Sequence, residues 1–115
     1  MKNEAVYAMS FAKIYDLYVA KVERKGRTKE ELDEVLSWLT GYSFDQMKEL
    51  VNGGKDLSAF FHEAPMMNDR RFLVHGSICG VKIDDITEPL MKDIRIMDKL
   101  VDELAKGKAM EKILR

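Results

Sequence analysis

Apolar residues recur along this chain with a period close to 3.6, which is the mark of helices that bury one face. Phe11, Ile14, Tyr15, Tyr18, Val19 and Val22 form the first such stripe, with Ser10 placed to cap its start and Gly26 just beyond its end. Thr28 and Glu31 have the spacing of a capping box, in which each side chain satisfies a backbone N–H that the first turn leaves unpaired. Leu32, Val35, Leu36 and Leu39 then make a second stripe that stops near Gly41. A short turn between the two stripes predicts a pair of antiparallel helices. Ser43 and Gln46 repeat the box, and Tyr42 and Met47 have the positions of a hydrophobic staple, so a third helix is expected from Ser43 to about Val51. Asn52, Gly53 and Gly54 end it. Asp56 can cap a short helix carrying Leu57, Phe60 and Phe61, which must close before Pro65.

Two regions read differently. The stretch RRFLVHGSICGVKI, residues 70 to 83, fits two templates. As a helix it places Val74, Ile78 and Val81 on one face, with Gly76 and Gly80 four apart. As strands it gives two β-rich runs around a turn at Gly76-Ser77. Helix is favoured, because an isolated two-stranded hairpin is marginal and no other segment offers a third strand. A β-hairpin over 71–83, and with it an α+β chain, is the alternative. From Glu88 to Lys106 the pattern is helical again: Leu90, Ile94, Met97, Val101 and Leu104 recur at spacings of four and three, and Pro89 suits a first helical position. Glu88–Lys92, Lys99–Glu103 and Asp102–Lys106 are spaced for i, i+4 ion pairs. Past Gly107, the apolar Met110, Ile113 and Leu114 lie among Lys108, Lys112 and Arg115, a tail that must dock on its own body or on a partner. The expected architecture is all-α, a compact bundle of about five to six short helices in a single domain spanning 1–115.

Composition narrows the function classes. With 115 residues, 46% of them hydrophobic, the chain suits one core and is too apolar to be disordered. The formal net charge of −1 gives no global field toward nucleic acid or an anionic membrane. Neither a signal peptide nor a membrane span is expected, because no apolar run approaches ~20 residues. One cysteine, Cys79, excludes an internal disulfide and suits a reducing cytoplasm.

Several stretches nonetheless carry a likeness: FAKIYDLYVAKVERKGRTKEELDEVLSWLTGY near the start, FFHEAPMMN in the middle and ICGVKIDDITEPLMKDIRIMDKLVDELAKGKAMEKILR at the end. Together they resemble a bacterial family of small proteins catalogued as domain of unknown function number 2200. The resemblance implies a stand-alone bacterial protein and supplies no reaction and no catalytic residues.

Local chemistry offers three candidates. Lys21, Arg24, Lys25, Arg27 and Lys29, opposed only by Glu23, could meet phosphates of a nucleic acid, although cations at a helix C-terminus are also favoured by its dipole. His75 and Cys79 stand four apart and would share a helix face. A metal site needs three or four ligands, and His62 adds none at a ligand spacing, so a core histidine and a quiet buried thiol are expected, with no metal and no cofactor. Asp93 falls within the apolar arc of its helix, where an unpaired charge is costly. It either sits near the helix N-terminus, pairs with a base or lies at the edge of the stripe, or else marks a functional pocket together with His75 or Tyr42. Gly53-Gly54-Lys55 lacks the spacing of a phosphate-binding loop.

With no catalytic constellation, the leading expectation is a cytoplasmic protein–protein interaction module that forms a homodimer. Nucleic-acid binding through residues 21 to 29 and a small-molecule pocket between helices are the alternatives. The charge balance itself is a sum of unlike segments: residues 84 to 104 carry 3 − 7 = −4, against 5 − 1 = +4 over 21 to 29 and 4 − 1 = +3 over 105 to 115. An acidic helix between basic ends can pair within one chain or across a dimer.

Overall fold

The computed structural model describes residues 2–115. Among them are seven α-helices: α1 (Asn3–Tyr7), α2 (Phe11–Arg24), α3 (Lys29–Thr40), α4 (Phe44–Val51), α5 (Leu57–His62), α6 (Pro89–Ala105) and α7 (Met110–Ile113). A two-stranded antiparallel hairpin, β1 (Ser77–Ile78) and β2 (Val81–Lys82), lies between α5 and α6. The fold is therefore mostly helical with a hairpin.

Local capping sets the helix starts. Ser10 Oγ accepts from the Lys13 N–H, and the Thr28/Glu31 and Ser43/Gln46 boxes are both closed in each direction. Asp56 accepts from the Ala59 N–H at 2.8 Å. The chain ahead of α2 and the chain ahead of α5 are tied together, since Phe11 N donates to Lys55 O and Leu57 N donates to Met9 O. This brings Phe11 and Phe60 into a stacked pair with ring centroids 4.0 Å apart. The stripes of α2 and α3 pack against α6, whose Ile94, Met97, Leu100, Val101 and Leu104 are all buried.

Gly41 ends α3 in the left-handed region at φ +79°, and residues 66 to 68 run directly over it: Met66 N donates to Thr40 O, and Asn68 N to Leu39 O. A Cβ at Gly41 would come within 2.8 Å of Met66 N and 2.9 Å of Met66 O. Gly41→Ala is therefore expected to cost about 1–3 kcal/mol in urea unfolding, from overpacking added to backbone strain. Gly26 shares the positive φ but has open space around it. Gly26→Ala should lose only the strain, about 1 kcal/mol, and equal losses at the two sites would contradict the close approach.

The helix favoured for residues 70 to 83 does not form. Asp69–Leu73 is a 3-10 turn and the hairpin follows it. Gly76, Cys79 and Gly80 all have positive φ, at +96°, +54° and +76°, which no right-handed helix accommodates. The hairpin turns at Cys79-Gly80 rather than at Gly76-Ser77, with the pairs Ser77–Lys82 and Ile78–Val81. Two successive left-handed residues are what a type I′ turn requires. A hairpin this short is not stable by itself. Buried Val74 and Ile83 pin its two ends, Ile83 N donates to Gly76 O, and the Lys99 ammonium on α6 donates to Ser77 O at 3.0 Å.

The C-terminal tail docks on its own body. Ile113 is fully buried, and Arg115 donates to Glu103 at 2.8 Å. Of the three i, i+4 pairs expected on α6, Asp102–Lys106 forms at 3.0 Å. Glu88 instead accepts from Asn3, Lys99 holds the hairpin and Glu103 holds the tail. Tertiary partners outcompete pairs worth a few tenths of a kcal/mol.

Candidate functional site

The basic segment is largely used within the chain. Lys21 pairs with Asp102 at 3.2 Å. Arg27 reaches the C-terminal end of α6, donating to Leu104 O and Lys108 O at 3.2 and 2.8 Å, and its other edge grips Glu31 at 2.9 Å. It thereby ties the start of α3 to the chain that leaves α6, where Leu104 O also accepts from Gly107 N. Arg24, Lys25 and Lys29 are exposed, with Lys29 at the first position of α3. The acidic α6 and the basic ends thus meet inside one molecule, through Lys21–Asp102, Lys106–Asp102, Lys108–Glu103 and Arg115–Glu103. Burial would raise the Asp102 carboxyl, but the hydrogen bonds from Lys106 and Lys21 outweigh it and hold this group below its usual range.

His75 and Cys79 share no helix face, because the segment between them is the hairpin. The expectation of a core histidine and a buried thiol fails on the same ground. His75 is exposed and its Nδ1 lies 3.0 Å from Asp84, across the base of the hairpin, while Cys79 is exposed at the tip. His62 Nδ1 lies 2.9 Å from the Ser58 carbonyl oxygen. No group of three His, Cys, Asp or Glu is placed to hold a metal ion among the described residues, and no helix there is long and apolar enough to cross a membrane.

Tyr42, His75 and Asp93 are each engaged with a different partner. The Tyr42 hydroxyl donates to Phe60 O at 2.7 Å, and burial, followed by the charge of Glu63, pushes the phenol up to about 12. Its ring borders a cleft of about 310 Å³ with Leu50, Pro65 and the Lys55–Glu63 ion pair. Asp93 accepts from Arg71 Nε at 2.8 Å, with side-chain exposures of 15% and 13%. The charge within the apolar arc is thus answered by a base from the 3-10 turn.

The richest polar cluster centres on residues that the sequence pattern did not single out. Tyr18, on the buried face of α2, donates its hydroxyl to Asp98 of α6. Arg95 Nη1 donates to the other oxygen of Asp98 at 3.0 Å and lies 3.8 Å from Cys79 Sγ. Burial first, then the Asp98 carboxylate, pushes the Tyr18 phenol well above its ordinary value. Arg95 lines two adjoining depressions. One, of about 200 Å³, has Val6, Met9, Ile14, Leu57 and Ile94 as apolar walls with Tyr18 and Asp98 among them. The other, of about 440 Å³, mixes apolar Val81, Ile86 and Met91 with Asn3, Asp85, Thr87 and Glu88. The one clue in the sequence is the tyrosine: a phenol in an apolar stripe demands a partner for its hydroxyl.

No curated protein matches the chain. The crystal structure of the uncharacterized protein SP1917 is similar to it, with a TM-score of 0.92 at 42% identity over 98% of this chain and 93% of that one. The model of one family, DUF2200, described as uncharacterized protein conserved in bacteria, matches residues 5–115. With nearly its whole length matched, this chain belongs to the DUF2200 family.

Proposed function

We propose that the protein works by binding rather than by catalysis, in the cytoplasm, as a homodimer formed through the connector between α5 and α6. One observation carries this reading. Of the six large apolar side chains left exposed among the described residues, Met66, Phe72, Leu73 and Val81 all lie on that connector, with Met66 at 76% and Leu73 at 53% exposure. Only Leu17 and Phe44 lie elsewhere. The docked tail no longer supplies an uncovered surface, so the connector is the part of the molecule that still calls for a partner.

A second copy suits this surface. The apolar residues are bordered by Asp69, whose side chain is fully exposed, and by exposed Arg70. Adjacent opposite charges let a two-fold axis set Asp69 of one protomer against Arg70 of the other. Arg71 lies 4.2 Å over the Phe72 ring, and Arg71 in turn is fixed by Asp93, so this anchor is held in place before any encounter. A net charge of −1 leaves two copies with almost no mutual repulsion. The lone cysteine, exposed and unpaired, suits a reducing compartment.

Sedimentation equilibrium tests the proposal. At about 50 µM, above the micromolar Kd expected of a modest interface, the wild-type chain should have the mass of a dimer. Phe72→Asp/Leu73→Asp should have that of a monomer with an unchanged helical circular dichroism spectrum. A wild-type mass of one chain at that concentration contradicts the reading.

A further inference from the structure

The apolar depression beside Arg95 has features that dimerisation does not use. Its walls come from four helices: Val6 of α1, Ile14 of α2, Leu57 of α5 and Ile94 of α6, with Met9 from the link between α1 and α2. At about 200 Å³ it has room for one small ring, since an apolar cavity of about 150 Å³ accepts benzene.

Its polar groups restrict what that ring can carry. Arg95 and Asp98 neutralise each other, so the depression has no net charge to offer a charged ligand. A carboxylate or an ammonium would meet an opposite charge that is already paired, and would recover only part of its lost hydration. Asp85 and Glu88 in the adjoining depression disfavour an anion further. Asp98 is occupied on both oxygens, by Tyr18 and by Arg95. Arg95 uses only Nη1 on protein acceptors among the described residues, which leaves its Nε and Nη2 as unspent donors. The site therefore has donors to spare on Arg95, while each Asp98 oxygen already holds a partner.

From this geometry we infer that the depression is a binding site for a small uncharged molecule with a cyclic or branched apolar body and one carbonyl oxygen. The oxygen accepts from Arg95, and the body packs on Met9, Ile14 and Ile94. Tyr18 and Asp98 hold the guanidinium in place.

A titration with three compounds that share one ring tests both halves of the inference: cyclohexanone, cyclohexanecarboxylate and cyclohexylammonium, followed by the methyl resonances of Val6, Met9, Ile14 and Ile94. A ligand of this size should saturate with a Kd of order 1 mM, given the few contacts it makes. The expected result is saturable shifts at those methyls with cyclohexanone and binding at least about tenfold weaker for the two ions. Ile14→Trp, which fills the depression from its partly exposed rim, should abolish the shifts. Arg95→Met/Asp98→Asn removes the donor without stranding a carboxylate and should weaken cyclohexanone about tenfold. Any one of three results overturns the inference: no saturation by about 50 mM, equal affinity for the ions, or binding unchanged in both variants.

Discussion

Replacing Phe60 with alanine is expected to remove about 3–5 kcal/mol of stability, the range for truncating a buried aromatic side chain. Phe60 is fully buried and lies at the centre of an aromatic group, stacked on Phe11 at 4.0 Å and in contact with Tyr42 and Phe61 at 5.2 and 5.0 Å between ring centroids. It is also where the chain closes on itself, since α5 is hydrogen-bonded to the start of α2 through Phe11 N to Lys55 O and Leu57 N to Met9 O. Those backbone bonds fix the neighbouring residues, so the wall cannot collapse fully into the space left by the ring. A domain of this size is stable by about 5–15 kcal/mol, so the variant should lose a large share of its stability. Urea unfolding of Phe60→Ala beside Phe60→Leu measures the effect. A loss below about 1.5 kcal/mol for alanine would mean that the ring is far less tightly enclosed than the stacking implies.

The second large effect is expected at Arg71. Arg71→Met keeps much of the side chain's length but leaves Asp93 without its cation in a position only 15% exposed. Breaking a buried pair from one side costs about 3–5 kcal/mol, most of it the penalty of the charge left behind. Because both side chains keep some contact with water, the lower end, about 3 kcal/mol, is the expectation. Adding Asp93→Asn to the same chain should recover most of that loss. A single-variant loss below about 1 kcal/mol would place the pair among exposed ion pairs. The same change should weaken the proposed dimer, because Arg71 also donates to Asn68 O and covers the Phe72 ring, and so fixes the 3-10 turn that presents Phe72 and Leu73.

The elements that could be read from sequence are those whose determinants are local. Ser10, Thr28, Ser43 and Asp56 each act within three residues, and the starts of α2 to α5 lie next to them. Pro89 and the stripe behind it locate α6 equally well. Residues 70 to 83 were not decided by pattern, since Val74, Ile78 and Val81 have helical spacing while the β-rich runs on either side of Gly76-Ser77 suit strands. What decides them is the sign of φ at Cys79, a residue that seldom turns left-handed, together with burial of Val74 and Ile83 against the bundle. The five residues of α1 are too few to display a period.

The site is less legible than the fold, because partner choice is tertiary. Asp93 is flagged by its place in an apolar arc, but nothing near it in sequence names Arg71, 22 positions away. Tyr18 and Asp98 are 80 positions apart, and neither announces the other. Glu103 shows the same point: its i, i+4 neighbour is Lys99, yet it is buried to 8% exposure under Arg115 and Lys108. The charge asymmetry along the chain left open whether α6 pairs with the basic ends within one chain or across a dimer, and these ion pairs form within one molecule.

If a second copy of the chain covers the connector, its hydrogen exchange must depend on protein concentration. Between about 1 and 100 µM, a range spanning a micromolar Kd, peptides from residues 66 to 82 should gain protection. Peptides from α2 and from the docked α7 should exchange identically at both. No change in the connector with concentration, or a change confined to the surface around Leu17, would contradict the account.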